Sequence, residues 1–222
     1  MSVRNSAELL GSGGPFATAL DGFAPREAQI QMADAVQEAI ESGDSLVVEA
    51  GTGIGKTLAY LVPALLSGEK VIVSTGTKTL QDQLFFRDLP LVREALESSV
   101  TTALLKGRSN YLCLHRMRTA RTEGRLPSRD AVQELEAVLD WSAQTRDGVL
   151  SISGVVSEES GLMPFVTSTA DNCLGAECPE FENCFVAKAR REAQEADIVV
   201  VNHHLLFADM AIKQSGFGEV LP

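Results

Sequence analysis

The stretch Ala50-Gly51-Thr52-Gly53-Ile54-Gly55-Lys56-Thr57 joins the short apolar run 45–49 to an apolar, helix-forming run at 57–66. Closely spaced glycines let the backbone curl so that several N–H groups face one concavity, which suits an anion. A helix starting there adds a positive end equivalent to about half a charge. Lys56 is placed to reach the β- and γ-phosphates of a nucleoside triphosphate, and the Thr57 hydroxyl to hold Mg²⁺. The candidate ligand site is therefore Ala50, Gly51, Thr52, Gly53, Ile54, Gly55, Lys56 and Thr57, although Ala50 stands where the strict pattern has glycine. A ligand-free glycine turn is the bland alternative, and the strand–loop–helix context weighs against it.

The same alternation runs through the first half of the chain. Ile30, Ala33, Val36 and Ile40 recur at helical spacing within 25–42, and Gly43-Asp44 ends that helix. Strands are expected at 45–49, 69–75 and 101–105, with helices at 57–66 and 77–86. Strands that alternate with helices make a parallel sheet with right-handed crossovers. Their uniformly apolar character fits strands covered on both faces. Residues 1–21, rich in Gly, Ser and Ala, read as a loose lead-in.

After residue 107 the alternation breaks. Helices are expected at about 112–123 and 130–143, a loop-like stretch at 145–183 and a charged helix at 185–196. A long irregular segment needs another constraint to persist in a compact domain. Ile198-Val199-Val200-Val201 then returns to buried-strand character, so 108–194 reads as an inserted domain.

Cys113, Cys173, Cys178 and Cys184 all fall in this second half. In a cytosolic protein, clustered cysteines are more often metal ligands than disulfides. One close trio with a remote fourth differs from the paired knuckles usual for zinc and suits an iron–sulfur cluster better. Zinc and unrelated buried thiols stay open at this point. His115, His203 and His204 are not needed as ligands.

The first twenty residues hold one basic residue, Arg4, and form no secretory leader. The longest apolar run, 58–66, contains Pro63 and falls well short of the ~20 residues of a membrane span. A cytoplasmic protein with no membrane association is expected. The net charge of −11 argues against a generic nucleic-acid binder. Charge is unevenly spread, however. Lys106, Arg108, Arg116, Arg118, Arg121, Arg125 and Arg129 are opposed locally only by Glu123, and Lys188, Arg190 and Arg191 form a second group. Taken alone, such a stretch reads as a solvated helix face.

Several blocks together resemble the iron–sulfur DNA helicases of superfamily 2, the XPD and DinG family, and within it the YoaA-like branch. They are Arg26-x-x-Gln29-x-x-Met32, the loop at 50–57, Ser74-Thr75-Gly76-Thr77-Lys78-Thr79-Leu80-Gln81, Lys106-Gly107-Arg108-Ser109-Asn110-Tyr111-Leu112-Cys113, and Val201-Asn202-His203-His204-Leu205-Leu206. The resemblance covers about residue 22 to the end. It implies an α/β fold: a RecA-like parallel sheet at 22–107, an inserted, mostly helical [4Fe–4S] domain at 108–194, and a return to the sheet domain at 195–222. It implies ATP and Mg²⁺ at the loop, with Gln29 reading adenine through an amide that both donates and accepts. It implies four cysteine ligands for the cluster, and DNA contacts at Thr75, Thr77, Gln81 and Arg108. Tyr111 is either an aromatic on which a base could stack or a residue of the core.

The implied activity is ATP-driven, 5′ to 3′ movement along single-stranded DNA and the opening of forked duplexes, alongside repair or replication proteins. The family's acidic Asp-Glu-Ala-His motif would follow shortly after Pro222. The chain is therefore read as the N-terminal part of such an enzyme, inactive alone. A nucleotide-binding metal module without motor activity is the rival reading.

Overall fold

The computed structural model describes residues 5–214 and 221–222. The chain divides into two compact units, Met1–Ala103 with Ala196–His203, and Leu104–Glu195 with His204–Pro222.

The first unit opens on two short helices, α1 (Ser6–Leu10) and α2 (Pro15–Ala19), where a loose lead-in was expected. Asn5 caps α1 by accepting the Ala7 N–H, and Leu10 and Phe16 are fully buried. Two apolar anchors thus order a segment too short to show periodicity. The amphipathic helix α3 (Glu27–Ser42) ends at Gly43 in the left-handed region, as its sequence predicts. Helix α4 (Lys56–Leu66) runs continuously through Pro63.

Next come β1 (Val71–Thr75), α5 (Lys78–Gln83), a π-helical turn at Leu84–Asp88 and α6 (Leu89–Ala95). The single helix expected at 77–86 is therefore subdivided. Strands β2 (Thr102–Leu104) and β3 (Ile198–Asn202) complete a three-stranded sheet in the order β1-β3-β2. β1 and β3 are parallel, with Val71 opposite Ile198 and Thr75 opposite Asn202. The central position of β3 explains its composition, because Ile198 to Val201 are all fully buried. At its start, the Asp197 carboxylate accepts both the N–H and the hydroxyl of Thr101 at 2.7 Å. Those two bonds hold the carboxyl below its ordinary pKa.

The expected strand 45–49 is corrected. It takes no regular structure and joins no ladder among the described residues, and Val47 is 97% exposed. β-branched, apolar composition makes a segment able to pair, but a ladder also needs a neighbour in register.

The second unit is helical: α7 (Leu114–Glu123), α8 (Arg129–Ser142), α9 (Leu150–Ser153), α10 (Met163–Val166) and α11 (Phe185–Glu195), with α12 (His203–Gln214) following β3. Its core gathers Leu112, Leu135, Val138, Leu150, Leu162 and Val166. Ser128 caps α8 by accepting the Ala131 N–H. The loop expected at 145–183 is punctuated by α9, α10 and two 3₁₀ turns, Gly175–Glu177 and Phe181–Asn183. Among the described residues, no helix is long and apolar enough to cross a membrane.

Candidate functional site

Three local arrangements carry chemistry. The first is the glycine loop. Gly53 and Gly55 hold φ of 82° and 86°, values that only glycine adopts cheaply, and they bend the chain into the first turn of α4. Helix α3 fastens the loop from the side. The Gln29 Nε2 donates to the Gly55 carbonyl at 2.9 Å, and the Arg26 guanidinium donates to the Gly53 carbonyl. Gln29, expected at an adenine edge, is almost fully buried and sits directly against the loop. Lys56 Nζ donates to the carbonyls of Ala50 and Gly51, each at 2.8 Å. The ammonium group therefore lies over the loop that a phosphate would enter. Thr57 hydrogen-bonds Tyr60, whose hydroxyl burial pushes up in pKa.

A methyl group at Gly55 would lie 2.1 Å from Gln29 Nε2. Gly55→Ala is thus expected to cost about 1–2 kcal/mol from the left-handed backbone alone, and to displace Gln29. Urea unfolding checks the first effect, and an unchanged midpoint would contradict it.

The second arrangement is the turn after β1. Its residues are stitched to the end of β3. Ser74 Oγ lies 2.7 Å from His203 Nδ1, and the Thr75 hydroxyl donates to the carbonyls of Thr77 and Val201. Thr77 caps α5 by accepting the Leu80 N–H at 3.1 Å, and its side chain stays exposed. Gln81, expected on DNA, is instead fully buried, and its Nε2 donates to the Val200 carbonyl at 3.2 Å. That amide fastens α5 to the sheet, a role the helical repeat does not reveal.

The third arrangement brings all four cysteines to one cavity of about 520 Å³ in the second unit. All four are free thiols, each half-buried. Backbone bonds explain the convergence. The Cys113 N–H donates to the Val166 carbonyl at 2.7 Å, and the preceding Leu112 N–H to the Gly148 carbonyl at 2.8 Å. Gly148 in turn lies against Phe185, so closely that a Cβ there would fall 2.2 Å from the ring. Only glycine lets Phe185, and with it Cys184, approach that edge. Between Cys173 and Cys184 the chain advances by tight turns. The Gly175 N–H donates to Cys173 Sγ, the Cys178 N–H to Gly175, the Phe181 N–H to Cys178 and the Cys184 N–H to Phe181.

Burial pushes the Cys113 thiol up in pKa, and the nearby Cys178 and Cys184 add to this, against a backbone hydrogen bond from Arg116. Arg108, Arg190 and Arg191 line the same cavity. Burial lowers the Arg190 pKa, with Arg108 contributing in the same direction. Among the described residues, no three His, Cys, Asp or Glu side chains sit at the spacing of a single-ion site.

Other basic residues scatter. Lys106 is buried, Arg118 pairs with Glu180, and Arg121, Arg125 and Arg129 are exposed. Tyr111 is 1% exposed, its hydroxyl accepts the Lys106 N–H at 3.0 Å, and burial pushes its pKa up to about 12. It is a core residue and offers no face to a base.

Residues 28–121 match the DEAD/DEAH box helicase family. The chain is 58% identical over 213 residues to the ATP-dependent DNA helicase YoaA of Escherichia coli K12, covering 94% of this chain and 33% of that protein. It is 50% identical to YoaA of Haemophilus influenzae Rd, covering 97% of this chain and 34% of that protein. Against the ATP-dependent helicase DinG of Mycobacterium tuberculosis H37Rv, identity is 39% over 93% of this chain and 34% of that protein. The chain thus spans about a third of the length of these relatives.

Proposed function

We propose that this chain, which belongs with the DEAD/DEAH-type helicases of the YoaA and DinG group, supplies the ATP-binding loop and a cysteine-held [4Fe–4S] cluster to an ATP-dependent DNA helicase. The observation that carries the reading is the pairing, in one chain, of an anion-binding loop with a cavity lined by four free thiols. ATP and Mg²⁺ would occupy the loop. Lys56 would exchange two backbone carbonyls for the β- and γ-phosphates, and Thr57 would turn from Tyr60 to the metal ion. Gln29 would link the adenine to the loop through its bond to Gly55.

The thiols suit a group larger than one ion. Four thiolates are the ligand set of an iron–sulfur cluster, and here the four cysteines meet at one cavity of about 520 Å³. Cys113, Cys173, Cys178 and Cys184 would hold the cluster, and Arg108, Arg190 and Arg191 would offset its negative charge. Bound there, it would staple together a segment with little core of its own.

Thr75, Thr77 and Arg108 are the proposed contacts to single-stranded DNA. Small hydroxyls at a helix start and a guanidinium are good phosphate partners. The resemblance supports 5′ to 3′ movement, forked substrates and a cytoplasmic role in repair or replication.

The test is salt dependence. In the full-length protein, Arg108→Ala should weaken single-stranded DNA binding and reduce the log–log salt slope by about 0.7, the share of one phosphate. Fluorescence anisotropy across a salt series measures it. An unaltered slope would make Arg108 a residue of the cysteine cavity alone.

A further inference from the structure

We infer that Phe181 is a base-stacking platform, which would make the mouth of the cysteine cavity part of the path of single-stranded nucleic acid. This rests on the DNA-motor reading and names a residue within it. Tyr111 is buried and offers no face to a base, and the more exposed Phe86 and Phe207 do not line the cysteine cavity. Phe165, Phe185 and Trp141 pack against the core of the second unit. Phe181, by contrast, is 39% exposed and lines the cavity with Arg108, Arg190 and Arg191.

A ring and several guanidinium groups lining one cavity are the combination that single-strand binders use, the ring taking a base face and the cations the backbone. Phe181 is also held in place. It opens the 3₁₀ turn Phe181–Asn183, its N–H donates to Cys178, and its carbonyl accepts from Cys184. Backbone fixed between two cysteine positions leaves only the side-chain torsions of the ring to be ordered by a base. The adjoining acid on the cavity wall, Glu180, is paired with Arg118. The other acids of this segment, Glu177 and Glu182, are exposed and do not line the cavity. They would repel phosphates from that side and leave the arginine side as the track.

The experiment uses the full-length, cluster-loaded protein and oligonucleotides carrying 2-aminopurine. Wild type should quench the probe. Phe181→Leu should weaken single-strand binding about tenfold or more and lose the quenching, while Phe181→Trp restores both at an unchanged iron content. Binding and quenching by Phe181→Leu equal to wild type would overturn the platform while leaving the DNA-motor reading intact; a wild type that binds no single strand would overturn both. Photocrosslinking of 5-iodouracil DNA to the unaltered protein decides the matter even if the leucine variant loses iron. The crosslinked peptide should contain Phe181, and crosslinks confined to other peptides would refute the platform.

Discussion

Lys56→Ala in the full-length protein is expected to lower ATP turnover by about 10²–10³-fold, the usual cost of removing one preorganised charge from a transition state. Its Nζ rests 2.8 Å from the carbonyls of Ala50 and Gly51, within the curl made by Gly53 and Gly55. An incoming triphosphate competes with two neutral carbonyls for that ammonium, and the phosphates bring far more negative charge. Alanine removes the charge and leaves the loop clamped by Gln29 and Arg26. Single-stranded DNA binding without nucleotide should therefore persist. Phosphate release and anisotropy, measured on the same preparation, separate the two. Turnover at the wild-type rate would sink the nucleotide assignment.

The second large effect concerns the thiols. Anaerobically purified protein should carry about four irons, and Cys178→Ser should lose most of that iron along with the visible absorption. The consequence for folding should be local. Helices α7, α8 and α10 share a core of Met117, Ala120, Leu135, Val138, Leu162 and Val166 that contains no cysteine. The segment 168–184 contributes little to that core, and Leu174 and Phe181 are exposed. Helical circular dichroism should thus be largely kept while limited proteolysis opens 168–184. Wild-type protein with zinc and no iron would overturn the cluster, and a variant with full iron would remove Cys178 from the ligand set.

What could be read in the sequence follows a physical division. The glycine turn into α4 was legible because its geometry is local: closely spaced glycines that take positive φ, then a lysine and a hydroxyl at a helix start. The end of α3 at Gly43 and the buried β3 were legible for similar reasons of period and composition. The cysteines could be counted, but their meeting depends on Gly148 admitting Phe185, a contact between residues far apart in sequence. Gln81 was misplaced, and the core role of Tyr111 stayed undecided, because polar and amphipathic side chains read as surface until a partner appears. Val200 and the Lys106 N–H are those partners. The run 45–49 shows the opposite failure: its residues favour a strand, but pairing is a property of neighbours. Gln29 gained a role beyond the expected one, since its bond to Gly55 crosses from helix to loop.

The reading as a DNA motor turns on coupling between nucleotide and strand. The direct measurement is ATP hydrolysis by the full-length, iron-loaded protein with and without single-stranded DNA. Hydrolysis should be slow alone and rise at least about tenfold with single strands. Lys56→Ala should abolish that rise, and Arg108→Ala should shift it to higher DNA concentration. A rate indifferent to DNA would contradict the account and leave a nucleotide-binding metal module without motor activity.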